Sequence, residues 1–316
     1  MLARAEAKVQ AGLSYAAIAH PTGFTPLDDY LGGGLREGEL ALLGGAQGLG
    51  KTMMALQIAR NAVAQGGRAT YICYEHDVEQ LLERLIAMEA GAVGGRDAPG
   101  LDEVHRALST PGDERPLADR LGDCGDVALS AINSYGERLQ LVRAAGSRTG
   151  PTELRELALA PAGQAPALLV VDYLQKVQAS GLASTEDDRV TYIVEALKDL
   201  ALDFGCPVLA IVASDKPGLA GRARLHHLRG STALAYEADV ALLLNDKFDI
   251  IARNHLMYGG TGTERYHDWV VCSIEKNRSG VAGVDLEFEK DFVHGRFVPR
   301  GRVVSEQLAD ERLGLE

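Results

Sequence analysis

From about residue 37 onwards, short apolar runs alternate with longer stretches in which apolar and polar side chains mix at helical spacing. Residues 39–43 read as a buried strand, followed by a glycine-rich turn and a helix from residue 52 to about 65 that Gly66 and Gly67 close. Residues 69–74 are the next strand. Asp77 then caps a helix, with Gln80 placed to complete a capping box. A third strand covers 168–171, a long helix roughly 186–204, and a fourth strand 207–212; residues 240–244, 269–274 and 284–288 are the later strand candidates. Strand and helix in alternation predict βαβ units: an α/β fold with a mostly parallel, twisted sheet flanked by helices. Residues 91–135 are rich in Gly, Pro and Asp, show only short helical patches and carry no motif.

Composition narrows the class. The 316 residues are 46% hydrophobic and 24% charged, the balance of a globular protein with room for one large α/β domain or two smaller ones. The longest apolar runs, such as 167–171, are strand-length, far short of the roughly 18 residues of a membrane span. The N-terminal stretch lacks the compact apolar segment of a secretory signal. The four cysteines are far apart and form no CxxC pair, which suggests neither zinc nor a disulfide framework. A cytoplasmic location, with no membrane partner, is expected. The net charge of −12 argues against a generally basic surface that coats nucleic acid, and leaves only a local segment to grip it.

The chemistry is concentrated in one loop. Gly45, Ala46, Gln47, Gly48, Leu49, Gly50, Lys51 and Thr52 fit GxxxxGK[ST] in full, with an apolar strand entering and a helix leaving. Glycines let backbone N–H groups converge on phosphate oxygens, and the helix N-terminus adds its positive end. Lys51 would reach the β- and γ-phosphates of a nucleotide, and the Thr52 hydroxyl would coordinate Mg²⁺. Asp172 ends the apolar run LLVVD, where a carboxylate can hold the magnesium shell; Glu75 follows another strand, where a carboxylate can orient and deprotonate the attacking water. The plainer readings are an acid at a strand end and an acid flanking the Asp77 cap.

These segments resemble the RecA-like ATPase domain of the replicative helicase (DnaB-like) family, and its RadA- and KaiC-like relatives. GFTPLDDYLGGGLREGELALLGGAQGLGKT resembles the family's opening, and YEHDVEQLLERL the segment with its catalytic Glu, which implies that role for Glu75. VVDYLQKV, residues 170–177, is similar to its magnesium-binding stretch and is the most specific match. LRGSTALAYEADVALLL implies a nucleotide or subunit contact for Arg229, and EKNRSGVAG implies a hairpin whose Lys276 and Arg278 act on the neighbouring subunit's γ-phosphate. Taken by themselves, those two cations read as an exposed, solvated turn. Across roughly residues 22–295 the resemblance implies a RecA-like P-loop core ending in a β-hairpin region, with ATP and Mg²⁺ as cofactors. It further implies a homo-oligomer (a ring or filament, a hexamer among the options) that hydrolyses ATP at subunit interfaces and moves 5′–3′ on single-stranded DNA.

Lys216, Arg222 and Arg224 form a local basic island over residues 215–230, with Asp215 as its one acid, on a glycine-containing loop. It reads either as a contact to a nucleic-acid backbone or as a solvated loop. The chain also departs from the family. Where relatives carry a Gln that links γ-phosphate to DNA, this chain has Ala213, followed by Ser214 and Asp215. The expected organisation is a linker-like helical segment over 1–20, an ATPase domain over 21–300 and a tail over 301–316, without the helicase's N-terminal domain. The alternative to a DNA motor is a KaiC- or RadA-like ATPase that switches an assembly without unwinding.

Overall fold

Each apolar run becomes a strand and each mixed stretch a helix in the computed structural model, which describes residues 6–7, 9–11, 17–159, 166–179, 185–214, 222–251 and 263–308. A ribbon of β1 (Ala19–His20) and β2 (Leu35–Arg36) frames α1 (Leu27–Leu31). β3 (Leu40–Gly45), α2 (Lys51–Ala64), β4 (Ala69–Cys73) and α3 (Val78–Gly94) follow. Next come α4 (Leu101–Ser109), α5 (Leu117–Arg120), α6 (Gly125–Tyr135), β5 (Leu139–Arg143) and α7 (Pro151–Leu159). The second half holds β6 (Leu168–Asp172), α8 (Glu186–Phe204), β7 (Val208–Ala213), α9 (Ser231–Glu237), β8 (Val240–Asp246) and α10 (Lys247–Ile250). β9 (Trp269–Asn277), β10 (Val284–Asp291), β11 (Arg296–Phe297) and β12 (Arg302–Val303) end it.

The main sheet has the order β11-β10-β9-β8-β3-β7-β6-β4-β5, with β12 also on β10. From β8 to β5 neighbours pair in parallel, and from β8 to the C-terminus they pair antiparallel. Alternate side chains of each central strand enter different cores. Ala41, Leu43, Leu209 and Ile211 pack toward α2 and α3; Leu40, Leu42, Val208 and Ala210 pack toward α8. With both faces covered, a central strand must be apolar throughout, which is why these runs stood out in the sequence.

α8 occupies the expected 186–204, capped by Thr185 accepting from the Asp188 amide, and the Asp77–Gln80 capping box is present. α2 begins one residue early because Gly50 serves as its N-cap; beyond Gln65, Gly66 turns left-handed (φ 93°). Two regions differ. Residues 91–135 hold α4 to α6, which pack on α3 through Ile86, Val104, Ala107 and Leu121. The edge strand β5 was not expected, since its residues are only half-buried and its apolar signal is diluted. At the N-terminus, Ala19–His20 pairs with Leu35–Arg36, so the end of the expected linker is tied into the fold.

Candidate active site

β3 runs into the glycine loop with Gly45 at φ 142°, where an added Cβ would lie 2.6 Å from the Leu244 carbonyl oxygen. Gly50, at φ 83°, starts α2; a Cβ there would lie 2.7 Å from the Phe297 ring and 2.9 Å from the Phe292 ring. Both positions therefore need glycine for conformation and for space. No acidic residue occupies the first turn of α2 and no side chain caps it, which keeps that N-terminus open to an anion.

Gly45, Gln47, Gly48, Gly50, Lys51, Thr52, Glu75 and Asp172 line one cleft of about 420 Å³ at the C-terminal ends of the parallel strands. The remaining loop residues act behind it: the Ala46 carbonyl accepts from Lys51, and Leu49 packs on the core. Lys51 Nζ donates to the carbonyls of Gly45 (2.9 Å) and Ala46 (2.7 Å). Burial lowers its pKa, while Asp172 and Glu75 oppose that by favouring the ammonium. Asp172 is buried, and desolvation raises its carboxyl pKa; the Tyr71 hydroxyl, 2.8 Å from Oδ2, and the Thr52 hydroxyl hold it in place and partly offset the rise. Thr52 and Asp172 thus sit together as a hydroxyl–carboxylate pair. Glu75 is exposed at the cleft wall.

A nucleotide triphosphate with Mg²⁺ fits these residues. Glycine amides and the Lys51 ammonium suit phosphate oxygens, and one hydroxyl with one carboxylate suits a magnesium ion that keeps most of its shell on phosphate and water. Among the described residues there is no group of three or more His, Cys, Asp or Glu, the pattern of an all-protein metal cage.

Also lining the cleft are His76, Arg84 and Phe292, together with Tyr173 of the VVDYLQKV stretch and Ser214 beside Ala213. Arg84 had a signal: it follows the Asp77 cap by two helical turns, between buried Leu81 and Leu85. Ala213 lies in the cleft wall as well. Its amide donates to Gln175 Oε1 (3.1 Å) and its carbonyl accepts from Gln175 Nε2 (3.4 Å), so the buried Gln175 amide braces the backbone at this position and Ala213 itself faces the cleft.

The expected hairpin cations lie elsewhere. Lys276 is not on a turn: β9 extends through Asn277, and Lys276 Nζ donates to the carbonyls of Ala235 (2.7 Å) and Tyr236 (3.2 Å) at the end of α9. Burial lowers its pKa, and Arg278 adds to that effect. Arg278 begins the turn, half-exposed, with Nη1 on Asp239 Oδ1 (3.0 Å) and Nη2 on the Tyr236 carbonyl (2.5 Å). β9 pairs Asn277 with Val240, whereas the cleft lies level with Gly45 and Leu244. At roughly 3.3 Å per residue the turn is therefore about 16 Å from the cleft along the strand direction.

The arginines of the basic island are paired with acids rather than free on a solvated loop. Arg222 is buried against Ser273 Oγ (2.9 Å) and ion-paired with Asp285. Arg224 Nη1 pairs with Glu275 (2.8 Å), and Arg229 pairs with Glu186 (Nε to Oε1, 2.9 Å). Along the sequence only Asp215 lies nearby; the fold brings acids from 43 to 63 residues away onto Arg222, Arg224 and Arg229. Lys216 lies outside the described residues.

A family model described as AAA domain matches residues 13–218. The replicative DNA helicase DnaB of Treponema pallidum (strain Nichols) is 26% identical over 279 residues, covering 88% of this chain and 55% of that protein. The DnaB helicase of Geobacillus stearothermophilus is 27% identical over 280 residues, covering 86% and 55%. Among solved structures, one described as an ATPase domain aligns with a TM-score of 0.69 at 18% identity over 94% of this chain and 96% of that one. A DnaB-like replicative helicase, studied with its primase interactions, gives the same score over 94% and 67%. The chain spans about half the length of the two curated relatives. These likenesses bear out the resemblance to replicative helicases and the RecA-like α/β fold. No helix among the described residues is long and apolar enough to cross a membrane.

Proposed function

Since the chain belongs to the AAA domain family, we propose that it hydrolyses ATP with Mg²⁺ at the boundaries between its own copies, and that this drives movement on single-stranded DNA in the cytoplasm. The observation that carries the reading is the single cleft in which the glycine loop, Lys51, Thr52, Asp172 and Glu75 converge.

Backbone amides of residues 45–50 and the Lys51 ammonium bind the β- and γ-phosphates and compensate charge on the transferred group. Thr52 and Asp172 would hold the magnesium ion, which supplies neutralisation of phosphate charge when bound. Glu75 orients the attacking water and accepts its proton. Lys276 and Arg278 complete the neighbour's cleft; the Asp239 and Tyr236 contacts set the direction in which Arg278 is presented. The ATPase unit runs from β1 (Ala19–His20) through β12 (Arg302–Val303), wider at both ends than the expected 21–300, with a link to the next copy before it and a tail after it. The oligomer is a ring or filament, and motion 5′–3′ follows from the resemblance.

An assay of ATP turnover with and without single-stranded DNA tests this, alongside Lys51→Ala. Turnover should rise with DNA, and a folded Lys51→Ala protein should lose ATP–Mg²⁺ affinity or turnover. Wild-type rates in that variant would sink the site assignment. A second reading, an ATPase that switches an assembly without unwinding, is favoured by Ala213 and by the pairing of Arg222 and Arg224 with acids. DNA-independent turnover, with no strand displacement, would support it.

A further inference from the structure

A second cleft, of about 320 Å³, lies between the C-terminal half of α2, α3 and the residues around β11, and shares no lining residue with the nucleotide cleft. Its polar lining is Gln57, Arg60, Asn61, Gln65 and Arg296: two guanidiniums, three amides and no carboxylate. That lining is unusual in a chain of net charge −12.

The two arginines differ in how they are satisfied. Arg60 is held by both oxygens of Glu89 (Nε–Oε1 2.6 Å, Nη2–Oε2 2.5 Å), and the Tyr135 hydroxyl donates to the same carboxylate (2.8 Å). Arg296 is the more enclosed of the two, yet its Nε and Nη1 are buried with no hydrogen-bond partner among the described residues. The nearest acid, Asp291, has Oδ2 at 3.7 Å from Nε, and its Oδ1 is taken by His294 Nδ1 at 2.6 Å. Buried cations are ordinarily paired and fully hydrogen-bonded, because the water they lose must be replaced. Burial disfavours the charged form of Arg296, Asp291 opposes that and the neighbouring Arg60 adds to it.

The amides are mostly committed. Gln57 clamps both backbone polar groups of Phe297, and Asn61 Nδ2 donates to the Thr22 carbonyl. What remains is Gln65, exposed at the rim, and Arg296, which lines the cleft with its Nε and Nη1 buried and lacking acceptors. A guanidinium with unmet N–H groups is matched by oxyanion acceptors; Nε and Nη1 lie on different edges of the plane, so each takes its own oxygen.

We propose that this cleft is an anion site distinct from the nucleotide cleft, taking a phosphate or carboxylate group on Arg296 with Gln65 at the rim. The bound oxyanion supplies the acceptors that Asp291 and Glu89 do not. Because Arg296 precedes Phe297, whose ring packs beside Gly50, occupancy also steadies the wall behind the glycine loop.

Calorimetric titration of inorganic phosphate, and separately of acetate, into Lys51→Ala protein tests the site with the loop's own phosphate affinity reduced. Saturable binding is expected in that protein, at least tenfold weaker binding in Lys51→Ala/Arg296→Gln, and an intermediate result with Arg296→Lys. A response to phosphate alone assigns a phosphoryl ligand, and a response to acetate alone a carboxylate. Equal binding with and without Arg296, or none in either, overturns the proposal. Melting curves supply the second readout. In chloride buffer Arg296→Gln should melt no lower than its parent, since the cation removed is buried with no hydrogen-bonded acceptor on Nε or Nη1, and only the parent should gain on adding the anion. A variant that melts lower in chloride would make Arg296 a structural residue and overturn the site equally.

Discussion

Burial pushes the Asp172 carboxyl above its ordinary value of 3.8, against the hydroxyls of Tyr71 and Thr52, which favour the carboxylate. The folded chain therefore binds more protons than the unfolded one between the ordinary and the raised value, and stability falls as pH rises through that interval. Asp172→Asn should raise the melting temperature of the nucleotide-free protein near pH 7, and the gain should shrink as pH falls toward 3.8. A melting series that shows no gain near neutrality would mean that the carboxylate is fully compensated where it sits. The same substitution should weaken the magnesium-dependent part of ATP binding. Glu75, exposed on the cleft wall, is the contrasting case. Glu75→Gln should keep ATP affinity and lose roughly 10²–10⁴-fold in turnover; a normal rate would return it to a helix-flanking acid. Lys51, Thr52, Asp172 and Glu75 were legible because each follows or ends an apolar run whose direction fixes where it emerges. Arg222 and Arg224 were not, because Asp285 and Glu275, which neutralise them, are distant in sequence.

At the scale of elements, legibility followed burial. β3, β6 and β7 are buried on both faces and announced themselves as continuous apolar runs; β5, half-exposed at the sheet edge, did not. The strands of the antiparallel half were read short. β8 and β9 carry polar residues with partners inside the fold, Asn245 on the Ala223 backbone and Glu275 with Arg224, and the apolar pattern stops at each of these residues. That is how Lys276 came to be placed on a turn. The junction of β3 and α2 offers the sharpest test of an element boundary. Gly50→Ala combines a left-handed backbone with rings 2.7 and 2.9 Å from the new Cβ, and should destabilise by about 1–3 kcal/mol. It should also lower ATP affinity, because Phe292 lines the cleft. Unchanged denaturant midpoints and unchanged nucleotide titrations would show that the loop relaxes without strain.

The whole molecule is incomplete as a catalyst if Arg278 serves its neighbour, since the same chain carries the turn about 16 Å from its own cleft at roughly 3.3 Å per strand residue. Specific activity should then rise with protein concentration. Arg278→Ala should bind ATP yet turn over slowly at every concentration. Mixing it with Glu75→Gln protein should restore part of the rate, because some boundaries then pair an intact Glu75 with an intact Arg278. Turnover that ignores concentration, with no recovery on mixing, would show that each copy works alone.

The placement of that turn beyond Asn277, at the end of β9 level with Val240, has an arithmetic consequence. Copies joined only by one chain's turn and the next chain's cleft add in a single direction, each contact using two different patches. A linear run of n copies then holds n − 1 finished sites and one unfinished site at its end, whereas a closed circuit of n holds n. Specific activity, normalised per chain, should approach its limit as (n − 1)/n with growing length and step to the full value on closure. Mass photometry of the assemblies beside their measured rates would count one against the other.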